Sequence, residues 1–372
     1  MDIVSYKCPH CGGGLTFDPE SGQYQCDYCL SQFTQQEMDA MTPRPDEEAR
    51  TDGARPNPES GLGSAADGAS REEGGAAADE TSQAPMLYTC PSCGAEIVTD
   101  ETTAATFCFY CHNPIVLSGR LDGQYHPDYV LPFAVDKEKA VSLFTDWIRK
   151  KRYVPKAFFS EDQIEKMTGV YFPYWLYSCE VEGTLDAEGV KLRTWVSGNL
   201  QYTETQKYDI KRNGVMKIDH VSRNALKKAD KQLVESVLPF DFKELRPFSM
   251  GYLSGFMAEK RDMEQKEFAP ELEKEVRVFA ESGLASDVTG YSRLSVRQKS
   301  TDIRDENWQY ALMPVWTLTY RDRDGSIYYF ACNGQTGKIC GKLPVDMGRL
   351  WVLFAEIFFP LLLFMLVVGY FI

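Results

Sequence analysis

The sequence predicts an α+β protein in pieces: two small cysteine modules, a mixed α/β body and one C-terminal apolar helix. Three observations predict it. The spacing C-x2-C-x14-C-x2-C occurs twice, at Cys8, Cys11, Cys26 and Cys29 and again at Cys90, Cys93, Cys108 and Cys111. Residues 39–85, between the clusters, are rich in Gly, Ala, Pro, Asp and Glu and nearly lack large apolar side chains. Residues 350–372 carry a single charge, Glu356. With 43% apolar and 25% charged residues, the 372-residue chain is neither fully disordered nor a multi-span membrane protein.

Each C-x2-C pair forms a knuckle that aims two thiolates at one ion, and two knuckles on facing hairpins complete a closed tetrahedral site, the geometry of structural zinc. Residues 1–38 and 86–119 are therefore expected to be two zinc ribbons. They would hold two structural Zn2+ ions, with the eight cysteines as ligands. Gly12 and Gly94 directly follow a knuckle, where positive φ is often needed. The N-terminus lacks a basic-then-apolar pattern, so no secretory signal is expected, and reduced thiols favour metal over two disulfides per cluster. A closed site has no position for water, which argues against catalytic zinc. His10 and His112 stand beside the knuckles as alternative ligands, behind four cysteines each. Cys179, Cys332 and Cys340 read as buried free thiols.

Segment 39–85 cannot bury enough surface to offset its ordering entropy, which predicts a disordered acidic linker. A coil of that length spans roughly 40 Å, so the first ribbon is expected to be tethered, not fixed. In the body, residues 120–345, Asp136 is positioned to cap a helix running through Arg152, with Ala140, Val141, Phe144, Trp147 and Ile148 on one face. A second helical pattern runs through Phe268, Leu272, Val276 and Phe279. Strand-like runs cover residues 169–182, 189–196, 310–320 and 326–332. The first and third share a Pro-x-Trp core, Pro173 to Trp175 and Pro314 to Trp316, each leading to a later glycine, Gly183 or Gly325. A duplicated hairpin is one reading of that likeness.

The final 23 residues reach about 35 Å as a helix, enough for a hydrocarbon core of about 30 Å. Trp351 and Tyr370 stand near the two ends, where interfacial aromatics belong. A single-pass transmembrane helix in the cell membrane is expected. Lys338, Lys342 and Arg349 precede it and put the body on the cytoplasmic side. Pro360 cannot donate to the carbonyl of Glu356, so an acidic side chain and a freed carbonyl fall at one level. That polar niche suits a second membrane helix, unless the carboxyl simply snorkels or is protonated.

Charge narrows the function. The 54 acidic residues outnumber 40 basic ones, for a formal charge of −14. Each filled four-thiolate site adds about −2 more. The second cysteine module has no Lys or Arg, and the first has only Lys7. Phosphate contacts need cations that these modules lack, so a membrane-tethered nucleic-acid-binding regulator is the alternative reading. No catalytic residue is identified and no small-molecule substrate suggests itself. Residues 334–338, GQTGK, place two residues between the glycines where a phosphate loop needs four. His126 and His220 lie in no nucleophile or zinc-protease motif.

In order, the two cysteine clusters, the stretches LPF at 131–133, GVYFPYW at 169–175 and NGQTGKI at 333–339, and the terminal apolar segment resemble a bacterial family of TFIIB-type zinc ribbon-containing membrane proteins. The resemblance covers most of the chain except the linker. It implies an adaptor in a membrane-stress response, recruiting or scaffolding protein partners such as SPFH/stomatin-like or phage-shock-type proteins. It implies no enzymatic activity.

Overall fold

The computed structural model describes residues 3, 4, 6–41, 86–90, 94–108, 113–286, 288–321 and 326–371. The expected linker lies outside them, except that 39–41 complete a helix. The chain is mixed α and β, with one large sheet and six α-helices among the described residues.

The first cysteine segment holds β1 (Ile3–Val4), β2 (Leu15–Asp18), β3 (Gln23–Cys26), β4 (Gln32–Phe33) and α1 (Gln35–Met41). Strands β2, β3 and β4 form a small antiparallel sheet. Asp18 closes the β2–β3 turn by accepting from the Glu20 and Ser21 backbone N–H groups, 3.2 Å each. Helix α1 starts with a capping box. The Thr34 N–H donates to Glu37 at 2.7 Å, and the Glu37 N–H donates back to Thr34 Oγ1 at 3.4 Å. The second segment holds β5 (Met86–Thr89) paired with β6 (Glu96–Thr99), then β7 (Thr103–Phe107) paired with β8 (Pro114–Leu117).

The remaining elements are β9 (Tyr129–Val130), α2 (Lys137–Arg149), α3 (Glu161–Ile164), β10 (Thr168–Ser197), β11 (Leu200–Asn224), α4 (Lys231–Ser236), β12 (Arg246–Pro247), β13 (Met257–Glu259), α5 (Gln265–Ser286), β14 (Arg293–Arg321), β15 (Ile327–Asn333), β16 (Ile339–Lys342) and α6 (Met347–Phe371). The large sheet runs β1-β8-β7-β13-β10-β14-β15-β16, with β11 beside β10. Strands of the cysteine segments are thus part of it: β7 pairs with β13 and β1 with β8.

The tethered first ribbon is a correction, because the segment is docked on the body. The Phe17 N–H donates to the Ser254 carbonyl at 3.0 Å, and the Ser254 hydroxyl donates to the Leu15 carbonyl. Gln35 Nε2 reaches Ser249 Oγ at 3.1 Å, and the Phe17 and Tyr252 rings meet edge to face at 5.4 Å. Leu15, Phe17, Tyr24 and Met38 bury into one core with Leu253 and Phe256. A module of about 35 residues has too small a core to be stable by itself, and this seam supplies additional apolar burial.

Helix α2 begins as expected, with Asp136 accepting from the Lys139 N–H at 2.6 Å and Ala140, Phe144 and Ile148 buried. It ends at Arg149, three residues short of Arg152. Bonds from Lys150 to Trp147 and Lys151 to Ile148 tighten the last turn and stop it. Helix α5 buries Leu272, Val276 and Ala280, while Phe279 is exposed. The buried stripe keeps a spacing of four, so Ala280 takes the place expected for Phe279.

The strands differ most from expectation. Residues 169–182 and 189–196 belong to one continuous strand, the 30-residue β10, and β14 begins seventeen residues before Tyr310, at Arg293. Gly183 is no turn. It sits mid-strand under Leu284, whose Cδ1 would lie 2.6 Å from an added Cβ. Gly325 lies outside the described residues. The two Pro-x-Trp segments are antiparallel neighbours, with Tyr171 opposite Pro314 and Pro173 opposite Leu312. Cross-strand charge pairs extend the strands where apolar alternation stops: Glu180–Lys217 at 2.7 Å, Glu182–Arg304 at 2.8 Å, and Arg297 between Glu188 and Asp209, 2.7 Å to each.

Candidate metal centre

Each cysteine knuckle is a backbone device before it is a ligand pair. The Cys8 N–H donates to Gly13 at 2.7 Å, and the Gly12 N–H returns to Cys8 at 2.8 Å. In the second knuckle the Cys26 N–H donates to Ser31 at 3.0 Å and the Leu30 N–H returns to Cys26 at 2.9 Å. Such a tight return needs a left-handed residue. Gly12 has φ 76° as expected, and Leu30, at φ 59°, meets the same demand without being glycine.

The turns bring all four sulfurs of Cys8, Cys11, Cys26 and Cys29 within 4.8 Å of one another. Cys8 to Cys29 and Cys11 to Cys26 are each 3.5 Å. Four thiolates at about 2.3 Å from a zinc ion would sit about 3.8 Å apart, so the donor set fits that ion. The same spacing excludes disulfides, which need sulfurs about 2.05 Å apart, and the four cysteines are free. Cys8 and Cys26 are buried against the core; Cys11 and Cys29 face outward. Side-chain and backbone hydrogen bonds at Ser31 pull the Cys29 thiol down to about 6. The Gly13 backbone lowers Cys11, but contacts with Cys26, Cys29 and Cys8 outweigh it and push that thiol up to about 12. Crowded sulfurs cannot all ionise unless a cation joins them.

His10 is not placed as a ligand. Its Nδ1 lies 2.9 Å from Ser31 Oγ, which in turn lies 3.2 Å from Cys29 Sγ, and its ring rests on Phe33 at 5.5 Å. It reaches the sulfurs only through the Ser31 hydroxyl. The hydroxyl link was not visible in the cysteine spacing; only Ser31's place two residues after Cys29 hinted at it.

In the second segment, Cys93, Cys111 and His112 lie outside the described residues. The buried Cys90 and Cys108 repeat the knuckle bonds. The Cys90 N–H donates to Ala95 at 2.7 Å, the Gly94 N–H returns to Cys90 at 2.9 Å, and the Cys108 N–H donates to Asn113 at 3.0 Å. Gly94 has φ 76°, the value of Gly12.

The other chemistry-bearing residues are occupied structurally. Cys332 and Cys340 sit on adjacent strands, and burial pushes their thiols up to about 12 and about 11. Asn333 is fully buried. It donates to the Val237 and Pro239 carbonyls and accepts from Gln335 and Thr336 N–H, so the 333–337 loop is a hairpin turn. His126 packs on Phe248 and His220 on Phe242. Among the described residues, the four-cysteine cluster alone gathers three or more metal-ligating groups.

From Met347 to Gly369, helix α6 is exposed apart from the half-buried Leu353 and Ala355, and this stretch is long and apolar enough to cross a membrane. No family model and no solved structure matches the chain. Over 355 residues it is 29% identical to the uncharacterized protein YdjG of Bacillus subtilis (strain 168), covering 95% of this chain and 94% of that one. The similarity runs through nearly the whole of both chains and carries no activity with it.

Proposed function

We infer that this protein is a membrane-anchored adaptor whose two cysteine segments are zinc ribbons that contact protein partners. The gathered sulfurs of Cys8, Cys11, Cys26 and Cys29 carry the reading, because four thiolates around one ion leave no site for substrate or water. The repeated backbone turns at Cys90 and Cys108 support a second ion held with Cys93 and Cys111. Helix α6 holds the body at the cytoplasmic face.

Contact needs exposed anchors beside the metal. Tyr24 and Phe33 are buried and hold the module together, whereas Tyr28 and Leu30, inside the second knuckle, are 73% and 68% exposed. Phe107 is half-buried; Phe109 and Tyr110 lie outside the described residues. A rigid knuckle that displays an aromatic and a leucine suits a protein surface better than a phosphate backbone. SPFH or phage-shock-type proteins are the partner class to test first. Tagged full-length protein is to be captured from detergent-solubilised membranes, alongside a Tyr28→Ser/Leu30→Ser variant. Loss of a co-purifying protein at unchanged metal content supports the reading. An unchanged set of co-purifying proteins means this module is not the recruiter.

A further inference from the structure

Strands β10, β11 and β14 form a blade whose end is a two-stranded arm. The last pairing of β14 with β10 is Val190 with Arg293; beyond it only β10 and β11 continue, from Lys191–Gln206 to Ser197–Leu200. Seven pairs make an arm about 23 Å long. An isolated two-stranded ribbon is marginal in water, yet this one presents apolar groups without cover. Trp195 and Tyr202 are directly opposite each other and stacked, 5.6 Å apart at 13°, and both are 44% exposed.

The face is identified by strand alternation. Odd-numbered residues of β10 turn toward α5: Tyr177, Cys179 and Val181 pack on Leu272, Val276 and Ala280, and Gly183 lies under Leu284. Further out, Tyr291 covers Gly189, where an added Cβ would come within 2.5 Å of its ring. Lys191, Arg193 and Trp195 continue the same face: Lys191 Nζ lies 5.2 Å from the centres of the Tyr208 and Tyr291 rings, and further out Arg193, 5.9 Å over the Trp195 ring, and Trp195 itself are exposed. Their cross-strand partners are Gln206, Glu204 and Tyr202.

Each of two successive rows thus holds complementary groups: Arg193 beside Glu204, then Trp195 beside Tyr202. We propose that the α5-side face of this arm docks on the same face of a second copy of this chain, about a two-fold axis parallel to the arm. Such an axis sets β10 of one copy over β11 of the other at the same height. Arg193 then meets Glu204 of the second copy, and Trp195 meets its Tyr202. The self-complementary row follows from the symmetry itself. The contact is small, so it operates between chains already confined together.

The test uses two differently tagged full-length copies expressed together, crosslinked in membranes with an amine-reactive reagent, captured by one tag and probed for the other. Wild type should capture wild type. Arg193→Glu alone and Glu204→Arg alone should each lower capture at least about tenfold, since like charges then face each other. Arg193→Glu mixed with Glu204→Arg should restore it, because every charge at position 193 of one variant then faces the opposite charge at position 204 of the other. Within either variant arm the like-charge pair persists, so restoration reports contact between chains and not hairpin stability. Trp195→Ser, which leaves the charges alone, should also lower capture. Absence of wild-type capture, single variants or Trp195→Ser equal to wild type, or a mixture no better than its components would overturn the proposal.

Discussion

Ser31 shows how much of the candidate metal site depends on a residue that is not one of its four cysteines. Its hydroxyl joins His10 to Cys29 and fixes where that outward sulfur points. Outer-shell partners of this kind are worth about 10- to 100-fold in metal affinity. Ser31→Ala should therefore weaken metal retention by about that factor in competition with a chelator, and His10→Ala should do less. An equal or larger loss from His10→Ala would indicate that the imidazole itself ligates. A second residue-scale test lies at the docking seam. An added Cβ at Gly251 would come within 2.6 Å of the Tyr24 hydroxyl. Gly251→Val should cost about 1–3 kcal/mol through overpacking. Thermal unfolding and proteolysis of the first segment check it; wild-type protection would mean that the seam carries no stability.

Among the elements, α1 offers a pH signature. Backbone and then side-chain hydrogen bonds from Thr34 hold the Glu37 carboxyl below its usual range. A lowered folded-state pKa means the stabilisation is complete above the unfolded value, about 4.3. It is lost as pH falls through the lower folded value. The wild type should thus lose stability on acidification in that window more steeply than Glu37→Ala, as followed by denaturant titration at several pH values. Equal slopes would remove the capping box from the account. In α6, the helix continues through Pro360 with Glu356 exposed one turn earlier. A charged residue weakens insertion, so Glu356→Leu should leave α6 as well inserted as before or better, measured by alkaline extraction of membranes. Release of the Leu variant would show that α6 is not a spanning helix.

At the scale of the whole molecule, legibility followed the range of the forces. The knuckles were readable because a turn of five residues with a left-handed glycine is local chemistry, and Gly12 and Gly94 adopt it. Asp136 was readable for the same reason. The blade was not, since Glu182, Glu188, Arg297 and Arg304 look like solvated loop residues until β10 and β14 bring them together. Nor was the docked first segment. The Ser254–Leu15 bond joins residues 239 apart in sequence, and nothing in either neighbourhood announces the other. That docking alters an expectation for the cysteines themselves. Cys26→Ser should release one metal ion and also loosen the seam at Leu253 and Phe256, because Cys26 belongs to the core they share. Metal analysis of the purified full-length protein, by mass spectrometry against protein concentration, tests the central claim most directly. About two zinc equivalents per chain are predicted, falling to one in Cys26→Ser and in Cys108→Ser. A single equivalent in the wild type, or a redox-active iron centre, would contradict it.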